Sequence, residues 1–182
     1  MDGLLFDSER IVQRSWEIAG DELGIPHMGD VIYHTLGMNR AGRNEYFRKY
    51  IREDFPFEEF GRLTRDNFWK IVDKEGLPLK KGVKELLAYG KAQGYKMAVA
   101  TSSSREYAMG NLIRAGIDPY FDSVICGDMV KKAKPDPEIY QKASESLGIP
   151  PEYCMAFEDA PGGILSAHQA GMKVIMVPDL VQ

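Results

Sequence analysis

The sequence predicts an α/β protein: a parallel β-sheet flanked by helices, with a separate helical segment ahead of it. Three observations lead there. Residues 9–77 show helical spacing of apolar side chains and no convincing strand. From about residue 80 onward, short apolar runs alternate with helical stretches, which is the pattern of a parallel sheet. The 182 residues, 44% of them hydrophobic, suffice for one core plus an insertion.

The elements follow in order. Ile11, Trp16, Ala19 and Leu23 recur at helical spacing from Glu9 to Leu23, and Gly24 stops that helix. Further helices are expected at Asp30 to Leu36, Arg43 to Glu53 and Glu58 to Asp73, joined closely enough for a small bundle. Next come a helix over Val83 to Ala92, a strand at Met97 to Ala100, and a helix from Arg105 to Ala115. Ser123 to Cys126 is a second strand. Asp136-Pro137 opens a helix that Gly148 ends. Tyr153 to Phe157 is a third strand, Pro161 to Ala170 a helix, and Val174 to Val177 a fourth strand. Such a sheet is expected to be covered on both faces.

Composition removes several classes of function. With 23 Lys and Arg against 27 Asp and Glu, the net charge is -4. That leaves no basic excess for nucleic acid or an anionic membrane surface. The start, Met1 to Asp7, is acidic and lacks the basic region of a signal peptide, and no apolar run is long enough to span a bilayer. A soluble, cytoplasmic protein is expected. Cys126 and Cys154 are too few for a disulfide framework or a four-cysteine zinc site, and read as buried small hydrophobes.

In a parallel sheet, ligands bind at the carboxyl ends of the strands. Glu158-Asp159 follow one strand directly, and two adjacent carboxylates there suit a hard cation such as Mg²⁺; capping the next helix is the other reading. Thr101-Ser102-Ser103 offer a hydroxyl and backbone N–H groups to a phosphate, or serve as an N-cap cluster. Lys134, between a strand and a helix and followed by Pro135, is either a fixed charge on a phosphate or a solvated lysine. Asp2 and Asp7 say little by themselves.

Their order carries more. Asp2-Gly3-Leu4-Leu5-Phe6-Asp7-Ser8-Glu9, then Ala98 to Ser103, then Lys134-Pro135-Asp136-Pro137, then Phe157 to Ile164, resembles the haloacid dehalogenase superfamily, in the branch of beta-phosphoglucomutase and small sugar-phosphate phosphatases. The resemblance spans nearly the whole chain. It implies a Rossmann-like parallel core over 1–8 and 80–182 with an inserted helical cap over 9–79. It implies Mg²⁺-dependent phosphoryl transfer through an aspartyl-phosphate. By position, Asp2 matches the general acid/base, and its carbonyl a metal ligand. Thr101 and the Ser102 amide match the phosphate cradle, and Lys134 the charge stabiliser. Asp159 matches a metal ligand, and Glu158 a direct or water-mediated one.

One position departs from the pattern. The family motif is Asp-x-Asp-Gly, and this chain begins at x, Met1. The nucleophile and the central strand that carries it are expected just ahead of Met1, and the chain as written is expected to be inactive. Val12 stands where beta-phosphoglucomutase has a histidine, which weakens a mutase reading. Asn39 and Arg40, in a loop that often meets substrate in the family, are expected to bind hydroxyls or a second phosphate, or else simply to connect two helices. The expected activity is that of a phosphatase. A phosphosugar mutase and a non-catalytic phospho-ligand binder are the alternatives. The expected partner is a small phosphorylated metabolite bound by a monomer.

Overall fold

The computed structural model describes residues 1–35 and 40–179, without the side chains of Arg40 and Ala41. The chain forms two compact units. One is helical, within Ser8–Gly76; the other joins Met1–Asp7 to Leu77–Asp179.

The helical unit holds α1 (Ser8–Glu22), α2 (Ile32–Thr35), α3 (Arg40–Tyr50) and α4 (Phe57–Glu75). In α1 the buried residues Ile11, Ser15, Trp16, Ala19 and Gly20 fall on one stripe. That stripe faces α4, which contributes Phe60, Ile71 and Val72. Trp16 and Phe60 meet Phe47 edge-on, at 5.5 and 5.9 Å between ring centroids, and Phe55 closes the cluster. The edge-to-face geometry follows from the ring quadrupoles, whose positive rims seek negative faces.

The second unit runs α5 (Val83–Ala92), β1 (Ala98–Ala100), α6 (Arg105–Arg114), β2 (Ser123–Ile125), α7 (Glu138–Leu147), β3 (Met155–Glu158), α8 (Pro161–Gln169) and β4 (Lys173–Met176). Single 3₁₀ turns at 118–120, 127–129 and 151–153 were not expected from the sequence. Alternation of strand and helix is as the sequence predicts, with boundaries shifted by one or two residues. Asp136 and Pro137 precede α7 instead of opening it, and the Asp136 carboxylate accepts a hydrogen bond from the Glu138 N–H at 3.0 Å.

The four strands β1 to β4 pair in parallel, but the sheet comes in two halves. β1 pairs with β2, and β3 with β4. No strand among the described residues lies on the second edge of β1 or of β3. The helices α7 and α8 nevertheless unite the halves in one core, where Ile125, Ile139, Ala143, Ala156 and Ala167 meet. The expectation of a sheet covered on both faces needs correcting at β3–β4. Ala156 and Val174 point to α7 and α8, whereas Met155 and Ile175 lie on the other face and stay exposed. Cys126 is buried as expected, but Cys154 lies just outside β3 and is only partly buried.

The two passages between the units are tied together. Phe6, fully buried, bridges Leu79 in antiparallel fashion, the Asp7 N–H donates to Pro78 O and the Lys80 N–H to Leu5 O, each at 2.9 Å. The Phe60→Ala variant is expected to destabilise the helical unit by about 3–5 kcal/mol, the usual cost of deleting a core phenyl ring. Urea unfolding followed by far-UV circular dichroism checks this; a loss below about 1 kcal/mol would place the core of that unit elsewhere.

Candidate active site

Three loops at the carboxyl ends of β1, β2 and β3 converge with the turn at Asp2 and Gly3. Thr101 is 3% exposed, and its N–H continues the β1–β2 ladder by donating to Ile125 O at 3.0 Å. Its hydroxyl accepts the Ser103 N–H at 3.2 Å. Capping of α6 falls to Ser104, whose hydroxyl accepts the Tyr107 N–H. Thr101 and Ser103 are therefore not the helix cap. Ser102 is exposed in the same loop.

Ser103 turns to Asp2. Its hydroxyl donates to Asp2 Oδ2 at 3.0 Å, and the Tyr107 hydroxyl donates to Asp2 Oδ1 at 2.9 Å. Both carboxylate oxygens are thus held from the β1–α6 segment. The turn behind Asp2 is closed by Leu5 N–H to Met1 O at 2.7 Å and Gly3 N–H to Phe6 O at 3.0 Å.

Lys134 is not a solvated lysine: its side chain is only 14% exposed. The ammonium donates to Ala100 O at 3.2 Å, at the end of β1, and to Glu158 Oε1 at the end of β3. One cation so bridges the two half-sheets. Tyr140, on α7, gives its hydroxyl hydrogen to the same Glu158 oxygen. Burial works against the Glu158 carboxylate, but the Lys134 charge and the hydrogen bonds from Lys134 and Tyr140 outweigh it and hold Glu158 below the usual carboxylate range. Burial, reinforced by the Glu158 charge, pushes the Tyr140 phenol up, so Tyr140 keeps its proton. Gly163 lies so close that a Cβ there would overlap the Glu158 carboxylate.

Asp159 sits in a more acidic setting. Burial raises its carboxyl, and the nearby Glu158 and Asp179 charges raise it further. A Cβ on Gly3 would meet both Asp159 Oδ2 and Asp179 Oδ2, so the two carboxylates face one point. Lys80 pairs with Asp179 Oδ1, whereas Oδ2 is buried without a hydrogen-bond partner. An orphaned carboxylate oxygen beside a second carboxylate suits a hard divalent cation. Neither Glu158 nor Asp159 caps α8, whose N-cap is Ala160 without a side-chain bond. No group of three Asp, Glu, His or Cys side chains is assembled for a metal among the described residues.

The loop carrying Lys134 is pinned from several sides. Its Lys134–Pro135 bond is cis. Glu138 accepts the Lys131 and Lys132 N–H groups at 2.9–3.1 Å and pairs with Lys142 at 2.9 Å. Ser166, on α8, donates to Asp136 O at 2.6 Å.

Of the site residues expected from the sequence, Asp2, Thr101, Lys134, Glu158 and Asp159 come together, with Ser102 on the same loop. Asn39 lies outside the described residues, as does the Arg40 side chain. Sequence reasoning missed Tyr107, Tyr140 and Asp179. Tyr140 occupies the apolar stripe of α7 and reads as core. Asp179 was legible in principle, since it follows β4 at the ligand edge of the sheet.

Comparison with known proteins identifies the family. The family model of the haloacid dehalogenase-like hydrolases matches residues 1–177. A phosphorylated carbohydrates phosphatase of Thermotoga maritima is 31% identical over 175 residues, covering 96% of this chain and 81% of the relative. A haloacid dehalogenase family hydrolase from Deinococcus radiodurans, solved with phosphate and sodium, superposes with a TM-score of 0.82 at 25% identity, over 96% of this chain and 76% of that one. A beta-phosphoglucomutase from Clostridium difficile shares the fold, with a TM-score of 0.67 at 22% identity over 98% and 82% of the two chains. The chain belongs to the haloacid dehalogenase-like hydrolases, in their phosphatase and beta-phosphoglucomutase-like branch.

The Glu138 clamp gives a pH prediction. Lys142 above all, then the two amides, hold the Glu138 carboxyl down at about 2 against an ordinary 4.5. A lowered folded pKa stabilises the fold above the unfolded value and is lost as pH falls through the folded one. Glu138→Gln should therefore lower stability at neutral pH, and the gap to the unchanged protein should close as pH falls from about 5 to about 2. Urea midpoints measured across that range at low salt check this; a gap independent of pH would assign the loss to something other than charge.

Proposed function

We propose that the protein is a Mg²⁺-dependent phosphatase acting on a small phosphorylated metabolite of the sugar-phosphate class. The observation that carries this reading is the convergence of Lys134, Glu158, Asp159, Asp2 and Thr101 at one edge of the sheet. The substrate class rests on the name of the Thermotoga relative.

In this reading Thr101 and the Ser102 amide hold two phosphoryl oxygens, and the Lys134 ammonium offsets the charge that spreads over them in the transition state. Asp2 delivers a proton to the leaving oxygen and later takes one from water. Ser103 and Tyr107 orient its carboxylate for that exchange. Glu158, Asp159 and the Asp2 carbonyl would hold Mg²⁺, which when bound supplies Lewis-acid stabilisation of phosphoryl charge.

The attacking carboxylate belongs, in the same proposal, on a strand ahead of Met1. The unpaired edges of β1 and β3 support this, because a parallel strand there would complete one sheet. The helical unit serves as the cap that selects substrate, with Asn39 and Arg40 as its contacts, and the protein works as a cytoplasmic monomer.

The test is phosphate release from a panel of sugar and nucleotide monophosphates with Mg²⁺. The chain as written is compared with one extended by an apolar strand that ends in Asp. Release by the extended form alone is the expected result. Release by the unextended chain would overturn the placement of the nucleophile. Binding without release by both would favour a non-catalytic phospho-ligand protein.

A further inference from the structure

We propose that the two carboxylate oxygens of Asp2 have different tasks, and that Tyr107 is the positioning residue that divides them. Tyr107 anchors Oδ1, while Ser103 releases Oδ2 to exchange a proton with the leaving oxygen when a phosphate ester binds. The proposal rests on the phosphatase reading above.

The two donors reach Asp2 from different settings. Tyr107 stands in the first turn of α6 and gives its hydroxyl hydrogen to Oδ1 at 2.9 Å. Its backbone is held at both polar groups. The N–H donates to the capping Ser104 hydroxyl at 3.4 Å, and the carbonyl accepts the side-chain amide of the buried Asn111 at 2.9 Å. Ser103 lies instead in the loop after β1 and gives its hydroxyl hydrogen to Oδ2 at 3.0 Å. The backbone of that loop is fixed by the Ser103 N–H on the Thr101 hydroxyl and the Gly127 N–H on Ser103 O. The Ser103 hydroxyl hydrogen is not fixed, because it rotates about a single bond to suit the acceptor at hand. Oδ2 therefore borders the loop proposed to hold phosphate, and Oδ1 borders the helix.

The chemistry follows from that placement. To act as an acid, Asp2 must carry its proton on the oxygen beside the ester, which is Oδ2. An oxygen that bears a proton accepts poorly, so the Ser103 hydroxyl turns its hydrogen to a phosphoryl oxygen. The Oδ2 proton passes to the leaving oxygen as the P–O bond breaks and phosphorus bonds to the attacking carboxylate. Asp2 is then a carboxylate, and Oδ2 accepts the Ser103 hydrogen again. The bond from Tyr107 to Oδ1 persists throughout, so the carboxyl group stays in place when Ser103 lets go. A phenylalanine at position 107 would keep the ring and remove only this anchor.

The test uses the chain as written, with inorganic phosphate as the probe and Mg²⁺ present throughout. Aspartate is labelled with ¹³C at Cγ and tyrosine at Cζ, and Asp2→Ala and Tyr107→Phe assign the two resonances. Asp2→Ala should itself move Tyr107 Cζ, which marks the bond between them; an unmoved resonance overturns the proposal. In the unchanged chain, saturating phosphate should shift Asp2 Cγ and leave Tyr107 Cζ in place. Ser103→Ala should weaken phosphate binding about tenfold, as for a lost hydrogen bond to a charged group, and Tyr107→Phe by less than about twofold. Near-UV circular dichroism checks that both variants are folded. A Tyr107 resonance that moves with phosphate overturns the proposal, and so does an Asp2 resonance that does not. Equal affinities of the two variants also overturn it. Each of these results leaves the phosphatase reading standing. If phosphate does not saturate the unchanged chain, that reading and this proposal fall together.

Discussion

Glu158 is a carboxylate with almost no access to water, and the site around it depends on the Lys134 ammonium that neutralises it. An ion so buried is tolerated only when it is paired and its oxygens are satisfied. Lys134 pairs with it and, together with the Tyr140 hydroxyl, hydrogen-bonds its Oε1; by also reaching Ala100 O the ammonium ties the end of β3 to the end of β1. The strand ends, the glycine at 163 and the tyrosine on α7 all fit around that pair. Removing the lysine would leave an uncompensated buried charge, the costliest way to break such a pair.

The lysine can do this because its loop is rigid. Glu138 gathers two loop amides, Asp136 receives the first amide of α7, and Ser166 anchors Asp136 from α8. Most of this framework is local in sequence, within 131–138, and is delivered to the site by the packing of α7 on β1 and β2. Around Asp159 the balance is different. There Asp179 adds negative charge, and one of its oxygens is left without a partner. Phosphate chemistry of the proposed kind needs both surroundings: a fixed cation on one side, and carboxylates that attract a cation on the other.

Much of this was legible in the sequence, for physical reasons. Strand–helix alternation marks a parallel sheet, and the ligand edge of such a sheet is known before its strands are placed, which pointed to Thr101, Lys134, Glu158 and Asp159. What the residues alone left open was settled by partners distant in the chain. Lys134 differs from a solvated lysine through Glu158, 24 residues on, and Ala100, 34 residues back. Tyr140 reads as an apolar stripe residue because periodicity registers burial and not the hydroxyl at its tip. The exposed face of β3–β4 was missed for a related reason: Met155 and Ile175 are apolar, and pattern alone treats apolar strand residues as buried.

The central claim is that Thr101 and Lys134 frame an anion site at the ends of β1 and β3. The most direct measurement is a ³¹P nuclear magnetic resonance titration of inorganic phosphate into the chain with Mg²⁺ present, repeated with Thr101→Val. The Thr101 hydroxyl lies in the proposed cradle, so binding should saturate with the unchanged chain and weaken at least about tenfold in the variant, as expected for a lost hydrogen bond to a charged group. Equal affinity in the two proteins would contradict the claim, and so would no saturation in either.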